Sequence, residues 1–161
     1  MGINLQTLCQ DVCALSKEVG VFIKNEGEKF SLMKVEVKGK NDFVSYVDKT
    51  AEKRIVEKLA FLLPEAGFIA EEGTSSKKGE IYNWVIDPLD GTTNFIHGVP
   101  CFAISIALMR KEELVLGVIY EINFAECFYA WEGSKAYLNG KEINVTKTAK
   151  LADSLLATGF P

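Results

Sequence analysis

The chain has 161 residues, 48% of them hydrophobic and 25% charged, with a formal net charge of −4. This is the composition of a globular protein with one core, neither disordered nor membrane-spanning, and its scattered Lys and Arg residues form no basic patch of the kind a nucleic-acid surface needs. The start Met1-Gly2-Ile3-Asn4-Leu5-Gln6 lacks the basic opening and apolar stretch of a secretion signal, so a cytoplasmic protein outside the membrane is expected.

Leu5, Leu8, Val12, Leu15, Val19 and Phe22 recur at alternating intervals of three and four, which predicts an amphipathic helix from about Asn4 to about Asn25. The four cysteines, Cys9, Cys13, Cys101 and Cys127, show no C-x-x-C spacing. Cys9 and Cys13 share a helix face and could pair on a metal, but small buried thiols in a reducing compartment are the commoner outcome. From Lys34 to Tyr46 the pattern turns β-like, with Val35 and Val37 between charged residues and a turn signal at Gly39-Lys40-Asn41. Asp48 then suits the N-cap of a second helix running to about Leu63, with Ala51, Ile55, Leu59 and Leu62 inward and Pro64 as the stop.

Strands follow: Gly67 to Glu71, Tyr82 to Asp87, Phe102 to Met109, Glu113 to Tyr120, Glu126 to Trp131, and a last one from Ile143 to Thr146. Residues 74–79 are a polar loop, and Lys111-Glu112 joins two antiparallel neighbours. Two helices followed by consecutive strands predict an α+β fold, the helices packed on one face of a largely antiparallel sheet. Trp84 and Trp131 are expected in packing roles.

The chemistry concentrates in Asp87-Pro88-Leu89-Asp90-Gly91-Thr92-Thr93-Asn94-Phe95, after the apolar run Trp84-Val85-Ile86. Asp-Gly between apolar runs is also a strong hairpin signal. A hairpin accounts for Asp90 and Gly91 but not for Asp87, for the Pro that keeps Asp87 out of helical geometry, or for the polar stretch that follows. Two carboxylates at a strand end before a helix start make a metal site, with phosphate between the metal and the N–H groups of Gly91, Thr92 and Thr93.

This nine-residue string resembles the first signature of the inositol monophosphatase family, Mg²⁺-dependent and lithium-sensitive phosphatases. Gly67-Phe68-Ile69-Ala70-Glu71-Glu72-Gly73 resembles the family's upstream glutamate motif. The resemblance implies that Glu71, Asp87 and the Leu89 carbonyl hold one Mg²⁺, and that Asp87 bridges to a second held also by Asp90. Glu72 at most supports the site from outside. Three crowded acids need such a cation, since otherwise one of them takes up a proton. The implied reaction is hydrolysis of a phosphate monoester by a metal-activated water, which Thr92 orients together with Asp48. Lys38 resembles a family lysine near the metals, although a surface lysine in a turn is the commoner explanation. His97 is not expected to be catalytic.

Family members continue for roughly another hundred residues, in keeping with a second domain of ordinary size. That half carries a W-D-x-A-A-G motif with one more metal carboxylate and most of the groups that read the substrate alcohol. No such string occurs here. Residues 1–161 are therefore expected to be the N-terminal metal-binding α+β domain, the first half of the family's layered α/β sandwich, with the C-terminal domain absent from this chain. Such a piece is expected to be poorly active alone and to self-associate, as a homodimer or larger, through an uncovered apolar sheet face. The resemblance implies a small phosphorylated alcohol of the inositol monophosphate class as substrate. Alternatives are a 3′(2′),5′-bisphosphate nucleotidase or fructose-bisphosphatase relative, or a non-catalytic interaction protein, against which the three crowded acids weigh.

Overall fold

The computed structural model describes residues 2–32 and 37–157. Two long helices, α1 (Leu5–Leu32) and α2 (Val37–Leu62), pack against each other and against a seven-stranded sheet, giving the α+β class expected. α1 starts where the Asn4 side chain accepts the Thr7 N–H at 3.0 Å, an N-cap bond. Its buried stripe of Leu8, Val12, Leu15 and Val19 is the one its periodicity predicts, extended by Ile23.

α2 corrects the sequence reading. Residues 37–46 are helical rather than strand-like, and residues 33–36 lie outside the described part. Asp48 is therefore no N-cap; it sits well inside α2. The reason is packing: Val44 and Val47 carry the buried stripe of Ala51, Ile55 and Leu59 one turn towards the N-terminus, and that outweighs the local alternation around Val37.

The strands are β1 (Gly67–Ala70), β2 (Tyr82–Asp90), β3 (Ala103–Arg110), β4 (Glu113–Glu121), β5 (Glu126–Trp131), β6 (Ala136–Leu138) and β7 (Lys141–Ile143). They lie in chain order, and every neighbouring pair is antiparallel except β1 and β2, which run parallel. The last strand expected, Ile143 to Thr146, is replaced by the small β6–β7 hairpin, turned through Asn139 and Gly140 at φ 48° and 85°. Towards the end of the chain, Leu151–Asp153 form a single 3₁₀ turn.

Ile104, Ile106 and Leu108 on β3 stand opposite Tyr120, Val118 and Leu116 on β4, all buried on the face that receives α1. Trp84 and Ile86 of β2 continue this core towards α2. Trp84 is fully buried, and its indole N–H has no partner among the described residues. The other face carries an apolar groove of about 370 Å³ lined by Ala107, Gly117, Ile119, Phe128 and Ala130. No helix among the described residues is long and apolar enough to cross a membrane.

Candidate active site

The parallel pairing of β1 and β2 brings the carboxyl ends of both strands to the same edge of the sheet. The register runs from Gly67 opposite Asn83 to Ala70 opposite Ile86, and the Glu71 N–H continues it by donating to the Ile86 carbonyl at 3.3 Å. Glu71 thereby stands beside Asp87, and its charge acts on that carboxyl group.

Beyond Asp87 the β2–β3 register slips. Asp87 faces Ser105 and Asp90 faces Ala103, so Pro88 and Leu89 together oppose Ile104. Residues three apart on a regular strand point to opposite faces, and one inserted residue returns the second to the face of the first. The bulge is braced from within: the Leu89 N–H donates to Asp87 Oδ1 at 3.1 Å, and the Thr92 hydroxyl donates to the Leu89 carbonyl at 3.0 Å.

Asp90-Gly91 opens a helix rather than a hairpin. Gly91 is left-handed, at φ 92° and ψ 35°, and α3 follows over Thr92–His97. A Cβ at Gly91 would lie 2.8 Å from the Cys101 carbonyl oxygen, so the turn needs glycine for space as well as for φ. Phe95 anchors α3, buried and edge-on to Phe102 with ring centroids 5.3 Å apart. His97 is exposed in the last turn.

Acids dominate the electrostatics. Burial, then the Glu71 charge, raises Asp87 to about 6, with Asp90 adding to the rise and the Leu89 N–H opposing it. Asp48 is 6% exposed and rises to about 7, first through burial and then through Glu72, Glu71, Asp87 and Glu52. Helix α2 thus brings Asp48 to the carboxylates at the strand ends. Its neighbour one turn on, Glu52, is fully buried and accepts the N–H groups of Glu72 at 2.7 Å and Thr74 at 2.8 Å. Sequence reasoning passes over Glu52; the available signal is an acid four residues after Asp48, next to the inward Ala51 and Ile55.

The structure brings Glu71, Asp87 and Asp48 into one neighbourhood, with Leu89 and Thr92 bonded to each other beside it and Asp90 exposed at the rim. Gly91, Thr92 and Thr93 form the turn into α3, whose first N–H groups have no partner within the helix. For Lys38 only the backbone, in α2, is described. Among the described residues no three His, Cys, Asp or Glu side chains close around one point as a ready-made metal cage. The donors are all oxygens, and the charges that raise Asp48 and the half-buried Asp87 are all negative. Such a set suits Mg²⁺, which uses one or two carboxylates with water and substrate phosphate rather than an all-protein cage.

Comparison with known proteins gives the same direction. The profile of the inositol monophosphatase family matches residues 4–161. The chain is 40% identical over 142 residues to the fructose-1,6-bisphosphatase/inositol-1-monophosphatase of Aquifex aeolicus (strain VF5), covering 88% of this chain and 54% of the relative. It is 39% identical over 160 residues to the Nus factor SuhB of Pseudomonas aeruginosa, covering 98% of this chain and 59% of that one. The solved structure of inositol monophosphatase from Anabaena (Nostoc) sp. PCC 7120 superposes with a TM-score of 0.80 at 29% identity, over 94% of this chain and 54% of that one. The chain spans about half the length of the curated relatives it matches. By its profile match, its relatives and its fold, this chain belongs to the inositol monophosphatase family.

Proposed function

We propose that this chain carries the metal and phosphate site of a Mg²⁺-dependent phosphate monoesterase of the inositol monophosphatase type. The observation that carries the reading is the cluster of Asp48, Glu71 and Asp87, in which two acids are held partly protonated near neutral pH by burial and by one another. Family membership supports metal dependence. Glu71, Asp87 and the Leu89 carbonyl would hold one ion, and Asp87 with Asp90 a second. When bound, Mg²⁺ supplies a more acidic water and neutralises charge on phosphate and leaving group.

The chain's own residues set the direction of attack. The single hydroxyl proton of Thr92 is committed to the Leu89 carbonyl, so towards an attacking water Thr92 Oγ1 only accepts. The water then gives one proton to Thr92 as a hydrogen bond and the other to the Asp48 carboxylate, which leaves its lone pair aimed at phosphorus. The N–H groups of Gly91, Thr92 and Thr93 hold phosphate oxygens from the far side. Names of relatives, inositol-1-monophosphatase and fructose-1,6-bisphosphatase, support a small phosphorylated alcohol as substrate.

A relative named a Nus factor favours a second reading, in which a surface of this chain serves a macromolecular partner. Titration with inorganic phosphate, with and without Mg²⁺, followed by assay of phosphate release from inositol 1-phosphate, tests the first. Phosphate binding that requires Mg²⁺ is expected. No phosphate binding in saturating Mg²⁺ would overturn it and leave the partner reading.

A further inference from the structure

We propose that Glu52 is a positioning residue: its buried carboxylate clamps the turn Glu71-Glu72-Gly73-Thr74 and thereby sets where Glu71 presents its side chain beside Asp87. The inference rests on the reading of Glu71 as a metal ligand.

A carboxylate with no exposed surface in the interior of a helix is costly to bury unless its oxygens are satisfied. Both are: Oε2 accepts the Glu72 N–H at 2.7 Å and Oε1 accepts the Thr74 N–H at 2.8 Å. These are short, charge-assisted bonds. Gly73 between the two donors is left-handed, at φ 67°, and such a backbone turns flanking amides towards one anion. Here that anion belongs to the protein. Among the described residues Glu52 makes no ion pair, so its charge is spent on the turn.

The arrangement matters for the site because β1 ends at Ala70 and the Glu71 backbone is held to β2 by its 3.3 Å bond to Ile86. The clamp fixes the chain immediately after Glu71. It does so from α2, the helix that also carries Asp48 one turn earlier, so one rigid element sets both the water-accepting acid and the metal-holding acid. Removing a partner that orients a ligand commonly weakens metal affinity by about 10- to 100-fold.

The test compares wild type, Glu52→Gln and the exposed control Glu57→Gln on the same helix, by calorimetric titration with Mg²⁺ and Mn²⁺ and by amide hydrogen exchange. A glutamine oxygen still accepts one N–H, but its NH₂ faces the other donor. Glu52→Gln should bind both ions about tenfold more weakly at a temperature where it is fully folded, with faster exchange at Glu72 or Thr74. Glu57→Gln should match wild type. A purely structural role would lower the melting temperature and leave metal affinity alone; unchanged affinity in folded Glu52→Gln overturns the proposal. Should that variant not fold, slow exchange of Glu72 and Thr74 in the wild type supports the clamp and fast exchange overturns it. Failure of the wild type itself to bind either ion would instead remove the metal reading, and with it the purpose of the clamp.

Discussion

Glu71 and Asp87 stand abreast at the carboxyl ends of the parallel strands β1 and β2, close enough for the charge of Glu71 to raise the Asp87 carboxyl group. Burial, and then the Glu71 charge, raise Asp87 to about 6, so below that pH it holds a proton that an incoming cation has to displace.

Mg²⁺ binding at pH 5.5 is therefore expected to release at least about one proton, and at pH 8.5 essentially none. Calorimetry in two buffers of different ionisation enthalpy measures this directly. Equal heats in the two buffers at pH 5.5 would contradict the raised pKa of Asp87.

Stability of the metal-free chain should fall as pH rises from about 4 to about 7. Asp48 ionises at 3.8 when unprotected and at about 7 when folded, so across that window the folded state holds the proton that the unfolded state has lost. The contribution is complete below 3.8 and gone once the pH passes about 7. At ~1.4 kcal/mol per pH unit it amounts to a few kcal/mol. Asp48→Asn should flatten the slope and make the metal-free chain more stable than wild type at pH 8. Urea melts at pH 5 and pH 8 check both statements, and parallel pH dependences in the two proteins would count against them.

Gly67→Ala should destabilise by at least ~2 kcal/mol and weaken metal binding with it. A Cβ there would lie 2.0 Å from the Gly79 backbone nitrogen and 2.4 Å from Asn83 Oδ1. Asn83 grips Gly79 twice, accepting its N–H and donating to its carbonyl, both at 2.9 Å, and this return of the loop holds β1 in its parallel register. A loss under ~0.5 kcal/mol in urea unfolding would mean the loop gives way without disturbing the strand.

The legible parts of this fold are those where local pattern and tertiary packing agree. The stripe of α1, the strands around Asp87 and the helix after Gly91 could be read because Asp-Pro forbids one geometry and the polar stretch after Gly91 disfavours a hairpin. The N-terminal turns of α2 could not. There Val35 and Val37 mimic alternation over too few residues, and what decides is the burial of Val44 and Val47, a tertiary property. Asn139-Gly140 carries a strong hairpin signal, but its flanking strands are only three residues each, too short to show a period. The parallel pairing that joins Glu71 to Asp87 is not a local property at all. Resemblance names the acids, while the register and the bulge explain how they meet.

Gly91→Ala should lower both the melting temperature and Mg²⁺-dependent phosphate binding. The left-handed backbone alone costs about 1–2 kcal/mol for alanine, and the 2.8 Å approach to the Cys101 oxygen adds to it. Gly133→Ala is the control, with φ 81° and open space around its Cβ, and should show the backbone cost without any loss of phosphate binding. Equal effects of the two substitutions on phosphate binding would detach Gly91 from the site.

The most direct measurement is a calorimetric Mg²⁺ titration of wild type, Asp87→Asn and Asp90→Asn at pH 7.5. Asp87 stands beside Glu71, half-buried within the acid cluster, whereas Asp90 is exposed at its rim. Asp87→Asn is accordingly expected to lose at least about tenfold in affinity, and more than Asp90→Asn. Equal Mg²⁺ affinity in wild type and Asp87→Asn would contradict the account at its centre.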